Sequence, residues 1–278
     1  MTATLPAPPR ARSTDRPHIS FSQIRTYGLC SLQWLLSRSQ KSEFVSSSLI
    51  FGSAFHEALS HFYQARLEGR TAAKADLLVI FEQTWKAETH PVQYGKTDDQ
   101  ESLFATADRM FDAFLATVKP GEILAVEEPF ECHLADGIPP LTGYIDLIEI
   151  RQDEDGQKRL HLVDFKTAAR KPSVDDMEVD QLALYAIGMH RVGVLQQFDL
   201  PLALRYEVVT KTKSPEVYSI PVKPTKQDGK RVIEKAKVCS KGMQAGCCFP
   251  NPGWQCSSCG FSKLCAQWPD VLAPTDSH

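Results

Sequence analysis

Two apolar runs near the middle of the chain, LTGYIDLIEI and RLHLVDFKT, flank the polar stretch RQDEDGQK, and this pairing constrains the fold more than any other feature. Both runs have the length and the β-branched and aromatic content of core strands, and the polar stretch is a turn, so the segment predicts a hairpin. A third strand, ILAVEEPFECHL, precedes it. A meander of this kind among helix-periodic segments dictates an α/β architecture. The strands also carry charge where a core should not. In V-D-F-K the strand period of two puts Asp164 and Lys166 on one face and Phe165 on the other. On the preceding strand, G-Y-I-D places Asp146 where it can converge with Asp164 across the pair.

Such a set suits phosphodiester cleavage. Mg²⁺ or Mn²⁺ takes carboxylate oxygens, lowers the pKa of a bound water and neutralises charge on the attacked phosphate. A neighbouring lysine can orient or deprotonate that water. The bland alternative is a solvated Asp–Lys contact worth little, but the flanks LHLV and LTGYI set these charges at the ends of core strands. Glu127 and Glu128 on the third strand are undecided between reaching the site and standing as solvated edge charges. Gly143 is expected to let another backbone, such as DNA, come close.

The remaining chain reads as follows. ISFSQIRTYGLCSLQWLLSRS predicts one helix, capped by Ser20 or Ser22 and containing Cys30. A second helix begins near Leu49, carries the apolar stripe Phe51, Phe55, Leu59 and Phe62, and ends at Gly69. Residues 71–118 predict two helices around the loop THPVQYGKTDDQ. After the hairpin come the helix DMEVDQLALYAIGMHRV, the strands LALRYEVVT and PEVYSIPV, and a lysine-rich helix over roughly 224–242. Y-G-K-T at 94–97 mimics the end of a phosphate-binding loop, but that loop needs glycine where this chain has His90, and no strand precedes it. A helicase motor, if one takes part, is a separate partner.

Eight cysteines in 278 residues are many for a chain with no apolar signal segment at its start. The expected location is cytoplasmic, without membrane association, and there a clustered set binds metal or does chemistry. Five of the eight lie between Cys247 and Cys265. Cys256, Cys259 and Cys265 have the spacing C-x2-C-x5-C and need a fourth ligand. Cys247 or Cys248 could supply it for Zn²⁺.

G-Y-I-D followed by V-D-F-K-T resembles the PD-(D/E)XK nuclease superfamily in its RecB-like branch. F-G-S-A-F-H-E is similar to that branch's G-x-x-x-H helix, and D-Q-L-A-L-Y to its Q-x-x-x-Y helix. Cys30 with C-S-S-C-G-F-S-K-L-C resembles the four-cysteine iron–sulfur signature of AddB-type and CRISPR-associated RecB-like exonucleases. The resemblance implies a restriction-endonuclease-like α/β core, a mixed sheet flanked by helices, with an iron–sulfur tail tethered to the N-terminal helix. It implies His56 as an imidazole metal ligand beside Asp146, Asp164 and the Phe165 carbonyl, with Lys166 positioning the water. Gln181 and Tyr185 become contacts near the active site and DNA, and Cys30, Cys256, Cys259 and Cys265 the ligands of a [4Fe–4S] cluster. Its implied activity is Mg²⁺- or Mn²⁺-dependent exonucleolytic hydrolysis of single-stranded DNA in repair, recombination or CRISPR adaptation, with a helicase or a recombination or adaptation protein as partner. A non-catalytic DNA-binding accessory is the rival.

The expected organisation is a disordered leader over 1–17, a nuclease domain over 18–245, a cluster-binding tail over 246–270 and a disordered end over 271–278. The net charge of −3 leaves room for a local basic surface. From Lys223 to Lys241 seven basic residues, including Lys230, Arg231, Lys235 and Lys237, meet only Asp228 and Glu234. Beside the cysteine tail they form a candidate phosphate-binding wall, and Trp254, Phe261 and Trp268 are candidate stacking partners for bases.

Overall fold

A five-stranded mixed sheet forms the centre of the protein, its strands standing side by side in chain order. The structure is a computed structural model describing residues 17–270 apart from 174 and 176. The expected leader, Pro17 aside, and the expected end over 271–278 lie outside the described residues. Helices α1 (Phe21–Leu29), α2 (Ser31–Ser39), α3 (Ser47–Leu67), α4 (Lys74–Lys86) and α5 (Gln100–Thr117) precede the sheet, with the two-residue strands β1 (Val45–Ser46) and β2 (Val92–Gln93) among them. The meander is β3 (Glu122–Cys132), β4 (Leu141–Gln152) and β5 (Lys158–Ala168). Then come α6 (Val179–Arg191), β6 (Leu202–Thr210), β7 (Val217–Val222), α7 (Lys226–Gln244) and the short α8 (Ser262–Cys265).

β3, β4 and β5 pair antiparallel, as adjacent strands joined by short turns do. β5 and β6 pair parallel, which requires a crossover, and α6 supplies it. One face of the sheet is covered by α3, α4 and α5, the other by α1, α6 and α7. β6 is buried on both faces, alternating Leu204, Tyr206 and Val208 toward α6 with Arg205, Glu207 and Val209 on the opposite side. Arg205 therefore sits buried among carboxylates, 2.5 Å from Glu149 and paired also with Glu207.

α3 fixes the position of the histidine. Phe51, Phe55, Leu59 and Phe62 recur at helical spacing and are all buried. Phe55 stacks on Phe111 of α5 with ring centres 4.7 Å apart. Each such side chain contributes roughly 2 kcal/mol on burial, so the stripe sets the rotation of the helix. His56, one step around from Phe55, is held at the stripe's edge. Gly69 ends this segment with a φ of +72°, as glycine permits without strain.

The first predicted helix is two. α1 and α2 meet at Cys30, whose backbone is extended at φ −158° and ψ 107°. Helical periodicity continues across the junction, which hides the break. What stabilises it is non-local: the Leu32 N–H, an orphan of the first turn of α2, donates to the Phe249 carbonyl 217 positions later in the chain, at 3.1 Å. Cys30 is thus outside the helices, at a corner facing the tail. Gly143 has a packing role as well. A Cβ there would stand 2.6 Å from the Phe130 ring, so the glycine is required by core packing on that side, while its backbone lines the carboxylate cleft.

Candidate active site

Along β3 and β4 the side chains change faces at one rung. Ile145 packs toward α6 and Leu147 toward α3, although they are two residues apart; on β3, Phe130 packs toward α6 and Val126 toward α3. Pairing continues across the rung, with Val126 opposite Leu147 and Glu128 opposite Ile145, so Glu127 and Asp146 meet at the switch. Glu127 takes a φ of +53°, the one positive value at a non-glycine among the described residues. Backbone strain of this kind costs of order 1–3 kcal/mol and collects at functional sites. The β4–β5 ladder runs only to Leu147 opposite Val163. Beyond it the Asp146 carboxylate takes the place of a backbone acceptor, and the Phe165 N–H donates to its Oδ2 at 2.7 Å.

His56 reaches this rung from α3. Its Nε2 lies 2.9 Å from Asp146 Oδ2 and its Nδ1 3.6 Å from Glu127 Oε1. Burial lowers the pKa of the ring, but the hydrogen bond and charge of Asp146, with Glu127 and Asp164 behind them, outweigh it and push it up to about 9. Glu127 is raised by burial, against the Ser60 hydroxyl that donates to it at 2.6 Å and the charge of His56. One ligand atom from each of His56, Glu127 and Asp146 lies within 4.8 Å of the others.

Asp164 and Lys166 share a face of β5, opposite Phe165, which stacks on Tyr63 of α3. Asp164 is 2 % exposed; burial and the charge of Asp146 raise its pKa, against the pull of Lys166 and His56. Gln181 Nε2 donates to Asp164 Oδ1 at 2.5 Å and to Tyr185 Oη at 3.3 Å. The Tyr206 hydroxyl donates to the carbonyl of Glu178, at the start of α6, at 2.7 Å and stands 3.4 Å from Gln181 Oε1, which anchors the turn that carries Gln181. Lys166 Nζ pairs with Asp164 Oδ2 at 2.5 Å, which sets the ammonium against the buried carboxylate at the mouth of the same cleft. His56, Glu127, Asp146, Asp164, Lys166 and Gln181 line one cleft of about 370 Å³.

An imidazole and two carboxylates at metal spacing, with the buried Asp164 carboxylate beside them, make a hard donor set that could hold a divalent cation of the Mg²⁺ or Mn²⁺ type. Glu127 is the residue whose place sequence left undecided, and it joins the cleft; Glu128 does not. Tyr206 was missed. Its only signal is a tyrosine on the inward face of β6, which sequence cannot tell from core packing.

The family model of the PD-(D/E)XK nuclease superfamily matches residues 18–266. The chain belongs to that superfamily. Among solved structures it resembles a protein of Eubacterium rectale provisionally designated an exonuclease, at 13% identity over 93% of this chain and 91% of that one, with a TM-score of 0.52. That likeness is one of fold. SSO0001 matches with 12% identity over 91% of this chain and 96% of that one, at a TM-score of 0.34. No curated protein matches the sequence. The five-stranded mixed sheet flanked by helices agrees with a restriction-endonuclease-like core. No helix among the described residues is long and apolar enough to cross a membrane.

In this superfamily member the cysteine tail lies against the α1–α2 corner. Phe249 exchanges hydrogen bonds with Ser31, Asn251 Nδ2 donates to the Leu29 carbonyl at 2.8 Å, and Phe261 packs on Leu32 and Leu36. Gly260 passes so close to the 40–44 loop that a Cβ would meet the Phe44 carbonyl oxygen at 2.5 Å. Cys30 therefore sits among the tail cysteines. The Cys265 thiol is raised by burial and then by Cys30, Cys259 and Cys256, and Cys259 by burial and then by Cys30 and Cys256 beyond a backbone hydrogen bond that opposes it. For Cys248, burial is followed by Cys247 and Cys30. Cys132 and Cys239 are buried in the core on the α6 side.

The lysine-rich helix is less free than its composition suggests. Arg231 and Lys235 bind Asp180 of α6 at 2.9 and 3.4 Å, and Lys237 binds Glu234 at 2.6 Å; Lys230 is exposed. Phe261 is buried, so it is no stacking platform, whereas Trp254 is 76 % exposed.

Proposed function

We propose that this protein is a metal-dependent DNA nuclease of the RecB-like branch, acting as an exonuclease on single strands, with a [4Fe–4S] cluster on Cys30, Cys256, Cys259 and Cys265. The observation that carries the nuclease assignment is the meeting of His56, Glu127 and Asp146 with the buried Asp164 carboxylate and its partner Lys166 in one cleft. His56, Asp146 and Asp164 would hold Mg²⁺ or Mn²⁺, with the Phe165 carbonyl and Glu127 as further donors. A cation bound there would acidify the attacking water and neutralise the scissile phosphate. The protein's own groups do the rest. The Phe165 N–H fixes the Asp146 carboxylate, and Gln181, on the helix start that Tyr206 anchors, fixes Asp164. The Lys166 ammonium, partly exposed at the cleft, places the water and stabilises charge on the phosphate. The exposed Lys230 and Trp254 are contacts open to a strand, while Arg231, Lys235 and Lys237 reach phosphates only by giving up their present partners.

The cluster assignment is supported by the company Cys30 keeps, since Cys256, Cys259 and Cys265 are its neighbours.

Asp164→Ala and Lys166→Ala test the assignment. Each should abolish cleavage of a labelled strand with Mg²⁺ or Mn²⁺ while retaining most of the DNA affinity. Near-normal turnover in both would remove the active site from this cleft.

A further inference from the structure

The cleft that holds the carboxylates is closed on one side by the start of α1. Ser20, Phe21 and Ser22 line it together with Thr142 and Gly143 of β4. This juxtaposition is built by the backbone: the Ile19 N–H donates to the Pro140 carbonyl at 2.9 Å, and the Thr142 N–H to the Ile19 carbonyl at 2.8 Å. α1 therefore begins beside β4, with its first turn toward the cleft. Ser20 caps the helix by accepting from the Gln23 N–H at 3.4 Å. The N–H groups of Phe21 and Ser22 have no acceptor within the helix, as holds for the first turn of any α-helix. The Ser22 hydroxyl sits 3.0 Å from that of Ser20.

A helix start alone would mean little. The second observation is Thr142. The residue is 5 % exposed, it lines the same cleft, and its Oγ1 is buried without a hydrogen-bond partner. A buried hydroxyl left unpaired costs free energy unless something completes it. Valine has the same shape and would pack there without that cost.

We propose that the first turn of α1 and the Thr142 hydroxyl together bind a non-scissile phosphate of the nucleic-acid strand, seating the backbone beside the carboxylate set. Helix N-termini favour anions through their free N–H groups and the helix dipole, and a hydroxyl donates readily to a phosphate oxygen. The subsite also answers an electrostatic difficulty. Asp146, Asp164 and Glu127 repel a polyanion, and a point of phosphate attraction on the cleft wall adds to that of Lys166 in offsetting this. The proposal rests on the nuclease assignment and adds the path of the strand.

Thr142→Val and Ser22→Ala, each alone, test it. The probe is a single-stranded oligonucleotide bound to full-length protein without divalent cation, together with a series in which one phosphate at a time is a neutral methylphosphonate. Wild-type protein should lose affinity about tenfold when the seated phosphate is neutralised. Thr142→Val should raise the Kd of the unmodified strand by a similar factor and be indifferent to neutralisation at that position, while its thermal stability is unchanged or higher. Equal Kd and an unchanged methylphosphonate profile in both variants would overturn the subsite and leave the nuclease assignment standing if Lys166→Ala is still inactive. Wild-type protein that neither binds nor cuts the strand would overturn both.

Discussion

Asp146→Asn isolates the interaction on which the cleft is built. The carboxylate accepts from the Phe165 N–H at 2.7 Å and lies 2.9 Å from His56 Nε2. Asparagine keeps the shape and one acceptor but loses the charge. In the metal-free protein His56 is held up at about 9 from an ordinary 6.5, which corresponds to roughly 3 kcal/mol in favour of the imidazolium. Burial works against that figure and Asp146 supplies the largest opposing share, so the variant should return the ring toward 6.5. A raised histidine stabilises the fold fully below its unfolded pKa, and the contribution is lost as pH rises through the folded one. Wild-type stability should therefore fall by up to ~3 kcal/mol between pH 6.5 and 9, less whatever solvent screening at a partly exposed ring removes, and the Asp146→Asn curve should be flatter over that window. NMR titration of the His56 ring in chelator, with urea midpoints at pH 6, 7.5 and 9, measures both. A ring that titrates at the same pH in the two proteins would refute the coupling, whatever the activity of the variant.

Three other outcomes follow. Gly188→Ala should destabilise by about 1–3 kcal/mol through overpacking, because its Cβ would stand 2.3 Å from Phe130 Cε2; a thermal melt checks it. Cys30→Ala should lose the cluster's visible absorption as completely as Cys259→Ala, while Cys247→Ala and Cys248→Ala keep it. A colourless protein with one zinc, dependent on Cys247 or Cys248, would replace the cluster. Removing Lys230, Arg231, Lys235 and Lys237 together should weaken strand binding and flatten its salt dependence by less than four phosphate contacts would require, since three of them already pair within the chain; binding curves at several salt concentrations decide.

The strand period showed Asp164 and Lys166 on one face because the β5 segment obeys regular alternation throughout. The same rule could not place Glu127. It comes to the cleft only because β3 and β4 switch faces together at its rung, and φ +53° at a glutamate leaves no mark in the sequence. The resemblance to a Q-x-x-x-Y helix pointed to Gln181 and Tyr185, which their four-residue spacing alone left as ordinary helix packing, whereas the Tyr206 hydroxyl reaches the start of that helix from β6. Cys30 was legible as part of a four-cysteine set but not as a helix break, since the hydrogen bond that stabilises the corner comes from Phe249. That tether also changes an expectation. Ser31, Leu29 and Leu32 bind the tail without any metal, so losing the cluster should loosen this corner rather than release it. The lysine-rich helix shows the opposite error, for composition counts charges and cannot see that Asp180 of α6 takes up two of them.

The central claim is hydrolysis of a nucleic-acid strand by the carboxylate cleft, and the most direct measurement is a time course on end-labelled single-stranded DNA with anaerobically purified wild-type protein. With Mn²⁺ or Mg²⁺ the strand should shorten progressively, chelator should stop the reaction, and Lys166→Ala under the same conditions should leave the strand whole. An uncut strand with either cation, or cleavage that persists in chelator or in the lysine variant, would contradict the account.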